Sequence, residues 1–182
     1  MAKFVTIKTK KSAERARRSG RIKGYKFSYG LMPKKDGDKV IARWDKGVFA
    51  MPLSPNYLLS HQWIAEMERC YHHVPISAIY LDIPDDTKVY YGHYAGHKTI
   101  STAAEVCGYF FDMIRADEIS SLLGLEVIIP CDYLEGITKV NHHIKRVGWR
   151  IYPKKMITNH DHYRRSYMTK WQYQRYLKQK YG

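Results

Sequence analysis

Basic and acidic residues occupy different segments of this chain, and this segregation constrains the fold more than any other feature. Residues 1–35 hold 12 basic side chains and 1 acidic one, residues 36–140 hold 8 and 15, and residues 141–182 hold 11 and 1. Because accumulated like charge opposes a compact state, the middle segment is expected to form the folded body. The two strongly basic ends are expected to bind a polyanion.

The hydrophobic content is sufficient for one small domain. Leu, Ile, Val and Phe account for 40 of the 182 residues, just above the level of roughly 20% below which highly charged chains tend to be disordered. No apolar run approaches the roughly 18–20 residues that cross a bilayer, and the first residues lack the apolar stretch of a signal peptide. Three widely separated cysteines, Cys70, Cys107 and Cys131, favour neither a disulfide framework nor a zinc knuckle. These features predict a cytoplasmic protein, of the cell or of an infected host.

Hydrophobic periodicity predicts an α+β protein with a largely antiparallel sheet and two or three helices packed on one face. The predicted helices are 9–20 with Ser12 as the N-cap, 55–71 after Ser54-Pro55, 103–114 after the capping box Thr102-x-x-Glu105, 118–123 and 162–180. The predicted strands are 3–8, 76–83 paired with 88–94, 125–129, 144–152, and a hairpin of 40–44 and 48–51 that turns at 45–47. The chain divides into a basic N-terminal arm at 1–35, an α+β body at 36–158 and a basic, aromatic-rich C-terminal helix at 159–182.

The N-terminal arm carries nine basic side chains between residues 8 and 26. An ordinary solvated helix mixes basic and acidic residues, whereas Glu14 is the one carboxylate of residues 1–35. Segment 9–20 has almost no apolar face, so no core can hold it, and it is expected to fray unless it packs on the body or binds phosphates. The residues predicted to bind a phosphate backbone are Lys8, Lys10, Lys11, Arg15, Arg17, Arg18, Arg21, Lys23 and Lys26.

The C-terminal segment interleaves basic and aromatic side chains. Tyr163, Tyr167 and Trp171 recur every four residues, which places three rings on one face of a helix. Such rings can stack on unpaired bases while cations neutralise phosphates; alternatively, the rings pack on the body and the charges face solvent. The predicted binding residues here are Lys145, Arg146, Arg150, Lys154, Lys155, Arg164, Arg165, Lys170, Arg175 and Lys178.

Two further patterns suggest chemistry. The chain has nine histidines, several of them clustered, and such groups could ligate a metal ion in a nuclease or phosphoesterase. The clusters are His72-His73, His142-His143 and His160-x-His162. The loop 91–99 ends in Lys98-Thr99, similar to the end of a phosphate-binding loop. Neither pattern matches a standard spacing, so no catalytic residue, metal ligand or cofactor is assigned.

Residues 53–123 combine a Trp-bearing helix, two strands, the Tyr91-Gly92 turn and the helix at 103–114. In the last helix they are followed by Arg164-Arg165-Ser166-Tyr167. This arrangement resembles a domain of unknown function found in phage and mobile-element proteins. The resemblance implies a phage-like origin and, because that family has no established activity, it assigns no catalytic residue.

These patterns predict a nucleic-acid-binding protein that is not an enzyme and that grips the phosphate backbone through its basic termini. RNA or single-stranded nucleic acid is favoured over duplex DNA, because no helix-turn-helix, zinc finger or zipper motif is present. The expected setting is a ribonucleoprotein or a phage-type assembly with protein partners and no membrane. Two alternatives stay open: a metal-dependent nuclease or phosphoesterase using the histidines, and a basic inhibitor of an acidic host protein.

Overall fold

Antiparallel strands make up most of the chain that the computed structural model describes, which comprises residues 1–34, 37–54, 63–64, 67, 74–93 and 98–144. For residues 28–34, 37–44 and 119–120 the description covers the backbone. The strands are β1 (Ala2–Thr9), β2 (Ile22–Lys23), β3 (Tyr25–Lys34), β4 (Gly37–Pro52), β5 (Ile76–Ile83), β6 (Lys88–His93), β7 (Thr99–Thr102), β8 (Leu125–Pro130), β9 (Tyr133–Leu134) and β10 (Ile137–Asn141). The helices are α1 (Lys10–Ser19), α2 (Ala103–Arg115) and α3 (Ile119–Leu122). The class is therefore α+β with a mainly antiparallel sheet, as the periodicity predicts.

Eight strands form one sheet in the order β10-β5-β1-β4-β8-β6-β7, with β3 paired to β4. All of its pairings are antiparallel. β1 lies between β5 and β4 and pairs with β5 along its whole length, from Ala2 opposite Ile83 to Thr9 opposite Ile76. The segment that charge alone places in an arm outside the body thus contributes an internal strand of the sheet.

β4 runs without interruption through residues 45–47, so the hairpin turn predicted there is wrong. Gly47 does not form a turn: a Cβ at this position would lie 2.6 Å from Cγ2 of Ile128 and 2.8 Å from the carbonyl oxygen of Ile129. A glycine inside a strand often marks such a close approach of a neighbouring backbone. The hairpin of this region joins β3 to β4.

The predicted pairing of 76–83 with 88–94 is also wrong. Both edges of β5 are occupied, one by β1 and the other by β10. β6 pairs instead with β7 and β8, so the turn at residues 85–86 leads the chain away from β5. The prediction also missed β7, β9 and β10, which are short strands of two to five residues.

The helix α2 begins as predicted. The hydroxyl of Thr102 accepts a hydrogen bond from the amide of Glu105 at 3.3 Å, and the carboxylate of Glu105 accepts one from the amide of Thr102 at 3.0 Å. This reciprocal capping satisfies two amides that the first turn leaves without partners. Ala103, Val106 and Phe110, three to four residues apart, are buried on the face that contacts the core.

The helix α1 differs from its prediction in two ways. Its N-cap is Thr9, whose hydroxyl accepts from the amide of Ser12 at 3.3 Å, so Ser12 lies inside the first turn. Its apolar face is narrow but sufficient, since Ala13 and Ala16 are almost completely buried in the core cluster. Gly20 ends the helix with φ of +69°, a conformation that favours glycine.

Of the predicted helix at 55–71, the described residues are Trp63, Ile64 and Met67, and all three are helical. The predicted strand at 144–152 lies outside the described residues except for Ile144. The predicted C-terminal helix at 162–180 lies wholly outside them.

Candidate functional site

A cleft of about 310 Å³ lies beside α1 and is lined by residues from six elements of the fold. We call it the basic cleft, because its four charged lining residues are all cationic, at positions 8, 15, 21 and 23. Its lining comprises Lys8, Ser12, Arg15, Ala16, Ser19, Arg21, Ile22, Lys23, Tyr25, Ile79 and Tyr133. No carboxylate lines it among the described residues.

One side of the basic cleft is a face of α1. Ser12, Arg15 and Ser19 are spaced three and four residues apart, so they lie on the same side of the helix. Ala16 lies between them and is buried in the core, so it anchors this side of the helix at the edge of the cleft. A second depression shares Arg15 and Ser19 with the basic cleft and adds Lys11 and Arg18.

The opposite wall comes from a distant part of the sequence. β2 pairs with β9, which places Lys23 directly opposite Tyr133. The pairing is continued by a hydrogen bond of 2.8 Å from the amide of Gly24 to the carbonyl of Asp132. A Cβ at Gly24 would meet the carbonyl oxygen of Cys131 at 2.0 Å, so only glycine allows this approach. Tyr133, from the acidic middle of the chain, thereby enters the basic cleft.

Two tyrosine rings in the basic cleft carry a cation over one face. Nζ of Lys8 lies 4.8 Å from the ring centroid of Tyr25, and the guanidinium carbon of Arg21 lies 4.6 Å from that of Tyr133. Both distances are typical of cation–π contacts. The two tyrosines remain 51% and 53% exposed, so a part of each ring is accessible to a ligand.

Lys8 is the least exposed cation of the basic cleft. It lies on β1 opposite Ser77, which is completely buried. Burial of the ammonium group lowers the pKa of Lys8 from 10.5 to about 8. Among the described residues, Lys8 forms no ion pair that would oppose this effect.

The structure therefore brings together some of the predicted binding residues and separates others. Lys8, Arg15, Arg21 and Lys23 line the basic cleft, and Lys11 and Arg18 line the second depression. Lys10, Arg17 and Lys26 are exposed and line neither of them. The remaining ten lie outside the described residues: Lys145, Arg146, Arg150, Lys154, Lys155, Arg164, Arg165, Lys170, Arg175 and Lys178. Sequence reasoning missed Tyr133, since only the β2–β9 pairing relates it to the basic segment.

One of the three predicted histidine clusters, His142-His143, lies among the described residues. His142 has Nδ1 2.7 Å from Oγ of the buried Ser77, so this imidazole is engaged with the sheet. Over the ranges that the structure describes, no group of three or more His, Cys, Asp or Glu residues could hold a metal ion. The members at 72–73, 160 and 162 lie outside those ranges.

The loop hypothesis at Lys98-Thr99 is contradicted by burial. Nζ of Lys98 lies 2.7 Å from Oε1 of Glu126 and donates to the carbonyl of His93, and its side chain is 2% exposed. Burial raises the pKa of Glu126, and the Lys98 ammonium opposes that rise. This lysine is thus committed to an internal ion pair and does not reach a nucleotide phosphate.

Comparisons of this chain with known protein families, with curated proteins and with solved structures find no match. The resemblance of residues 53–123 to a phage-associated domain stays a prediction. Within the described residues, no helix has both the length and the apolar character that crossing a membrane requires.

Proposed function

We propose that this chain binds single-stranded nucleic acid, with the phosphate backbone held in the basic cleft. The observation that carries this proposal is the composition of the cleft: its described lining holds four cations and two half-exposed tyrosines and no carboxylate. Cations release counterions when they neutralise phosphates, which supplies most of the affinity of a backbone-binding protein.

The tyrosines favour single strands or irregular RNA over duplex DNA. Stacking on an aromatic ring requires an unpaired base with a free face, and each such contact is worth about 1–3 kcal/mol. Tyr25 and Tyr133 lie among the phosphate-binding candidates, so backbone and base contacts are both available within one cleft. The second depression would extend the path of the backbone along α1 through Lys11 and Arg18.

We extend the proposal to three further predictions from the sequence. The basic residues between 145 and 178 would form a second backbone-binding set on a C-terminal helix, and a ribonucleoprotein or phage-type assembly is the proposed setting. We also propose that the helices pack on one face of the sheet, and that the basic side chains of both terminal segments are available to bind the nucleic acid.

The test is fluorescence anisotropy of labelled oligo(dT), oligo(U) and a duplex, titrated with the full chain over a salt series. Wild type is expected to bind the single strands more tightly than the duplex. Replacing Arg15, Arg21 and Lys23 together by Ala should reduce the salt slope for the single strands by up to about 2, at about 0.7 per lost phosphate contact. Tyr133→Leu should weaken single-strand binding and leave duplex binding unchanged.

The matched control removes the same charge elsewhere, by replacing Lys88, Arg115 and Lys139 with Ala. These side chains lie outside the basic cleft and the second depression. An equal loss of affinity in this control would show that net charge alone drives binding and would refute the assignment of the cleft. Absence of oligonucleotide binding by wild type at low salt would refute the proposed function itself.

A further inference from the structure

Among the lysines that the structure describes, Lys98 is buried and Lys8 is half-buried, and their surroundings differ. Lys98 has the carboxylate of Glu126 at 2.7 Å and is satisfied within the protein. Lys8, on β1, extends from a row of the sheet in which its neighbour Ser77 is fully buried. Its amine reaches the basic cleft, where it contacts the ring of Tyr25. Burying an ammonium group without a counterion is costly, so its retention at this position points to a ligand.

The surroundings of Lys8 supply no negative charge in the described part of the chain. The groups around it come from every element that lines the cleft, and no carboxylate is among the described ones. They are Ser12 and Arg15 of α1, Arg21 and Lys23 around β2, Tyr25 of β3, Ser77 of β5 with the attached His142, which follows β10, and Tyr133 of β9. An anion that enters the cleft would be the missing partner of the amine.

Resting on the proposed function, we infer that Lys8 is the residue that binds a phosphate group in the basic cleft and that, at alkaline pH, it takes up a proton as the phosphate enters. The phosphate can belong to a nucleic-acid backbone or to a small polyphosphate, because the cleft offers the same donors to both. Lys8 would make affinity depend on pH, in contrast to the arginines around it, which stay charged.

The protonation state of Lys8 gives the expected size of this effect. With its pKa lowered to about 8 by burial, the amine is charged at pH 7 and mostly neutral at pH 9. A phosphate favours the ammonium form, so the pKa rises on binding. Affinity should then be about tenfold weaker at pH 9 than at pH 7, since each pH unit above the free pKa costs one factor of ten.

The experiment is isothermal titration calorimetry of the full chain with oligo(dT) and, separately, with inorganic tripolyphosphate. It covers pH 7 to 9.5 in two buffers of different ionisation enthalpy, so that proton uptake is measured directly. Lys8→Arg should retain binding but lose both the pH dependence and the proton uptake. Lys88→Arg, which changes an exposed lysine of β6 outside the cleft, is the matched control and should behave as wild type.

Two readouts keep the inference separate from the proposed function. If wild type binds oligo(dT) with constant affinity from pH 7 to 9.5, the role of Lys8 is wrong and the proposed function survives. If tripolyphosphate binds with the expected pH dependence and oligo(dT) does not bind, the phosphate site is supported and the proposed function fails. Should the Arg variant not fold, NMR of wild type labelled at lysine Cε decides: a Lys8 signal that titrates near 10.5, or that tripolyphosphate leaves unchanged, overturns the inference.

Discussion

Replacing Lys8 by Met should stabilise the protein at neutral pH, although it removes a residue from the candidate site. Met retains the apolar stem of the side chain and discards the ammonium group. Holding the pKa of Lys8 at about 8 instead of 10.5 costs the folded state about 3 kcal/mol at pH 7. The variant also loses the contact with Tyr25, worth about 0.5–1 kcal/mol. The expected net gain in the free energy of unfolding is about 2 kcal/mol.

The gain should depend on pH in a defined direction. Below pH 8, Lys8 is charged in both the folded and the unfolded chain, so its full cost is present. Between pH 8 and 10.5 the folded chain releases its proton first, and because the unfolded chain then binds more protons, the stability of wild type rises with pH. Above pH 10.5 both states are neutral and the cost disappears. The advantage of Lys8→Met should therefore shrink steadily between pH 8 and 10.5.

Urea denaturation followed by circular dichroism, at pH 7 and at pH 10, measures both quantities. Wild type and Lys8→Met share every other titrating group, so the difference between them isolates Lys8. Lys88→Met, at an exposed lysine of β6, is the control and should differ from wild type by less than about 0.5 kcal/mol. A Lys8→Met variant that is less stable than wild type at pH 7, or whose advantage is equal at both pH values, would show that the amine is not held in a desolvated state.

Three other substitutions test the fold. Gly24→Ala should destabilise by about 1–3 kcal/mol in urea denaturation, because its Cβ would meet the carbonyl of Cys131; a neutral result would contradict the close β2–β9 approach. Lys98→Met should cost about 3–5 kcal/mol at pH 7 and less at pH 5, because Glu126 is left buried without its partner and acid neutralises it; a pH-independent cost would count against the ion pair. Thr102→Ala should lower stability by about 1 kcal/mol through the lost cap, and an unchanged urea midpoint would argue that the cap contributes nothing.

The elements that the sequence predicts correctly are those set by local chemistry. The capping box at Thr102 and the apolar spacing of α2 involve residues within a few positions of each other. The strand at 76–83 is mostly apolar, which suits an internal position in the sheet. Such signals depend little on the rest of the fold, so they can be read from the chain directly.

The wrong predictions concern strand pairings and turns that depend on contacts between segments distant in the sequence. Residues 45–47 have turn composition, yet contacts with β8 keep them in a strand. β5 pairs with β1 and β10, and no local pattern in the sequence identifies these two pairings. In the candidate site the charges of the N-terminal segment were predictable, but Lys8, Lys10 and Lys11 look alike in sequence. Only the pairing of β1 with β5 makes the first of them half-buried, while the other two are exposed.

The distribution of carboxylates explains why the basic cleft stays positive in a protein whose middle segment is acidic. Several described acidic side chains are engaged with cations away from the cleft: Asp82 with Lys3, Asp132 with Lys46, Glu126 with Lys98, and Glu14 with Arg18. Asp132 is the informative case, because it adjoins Tyr133 of the cleft and nevertheless pairs with Lys46 at 2.7 Å. If the basic cleft binds a phosphate as proposed, keeping the partly desolvated amine of Lys8 there gives up stability for binding, as functional sites commonly do.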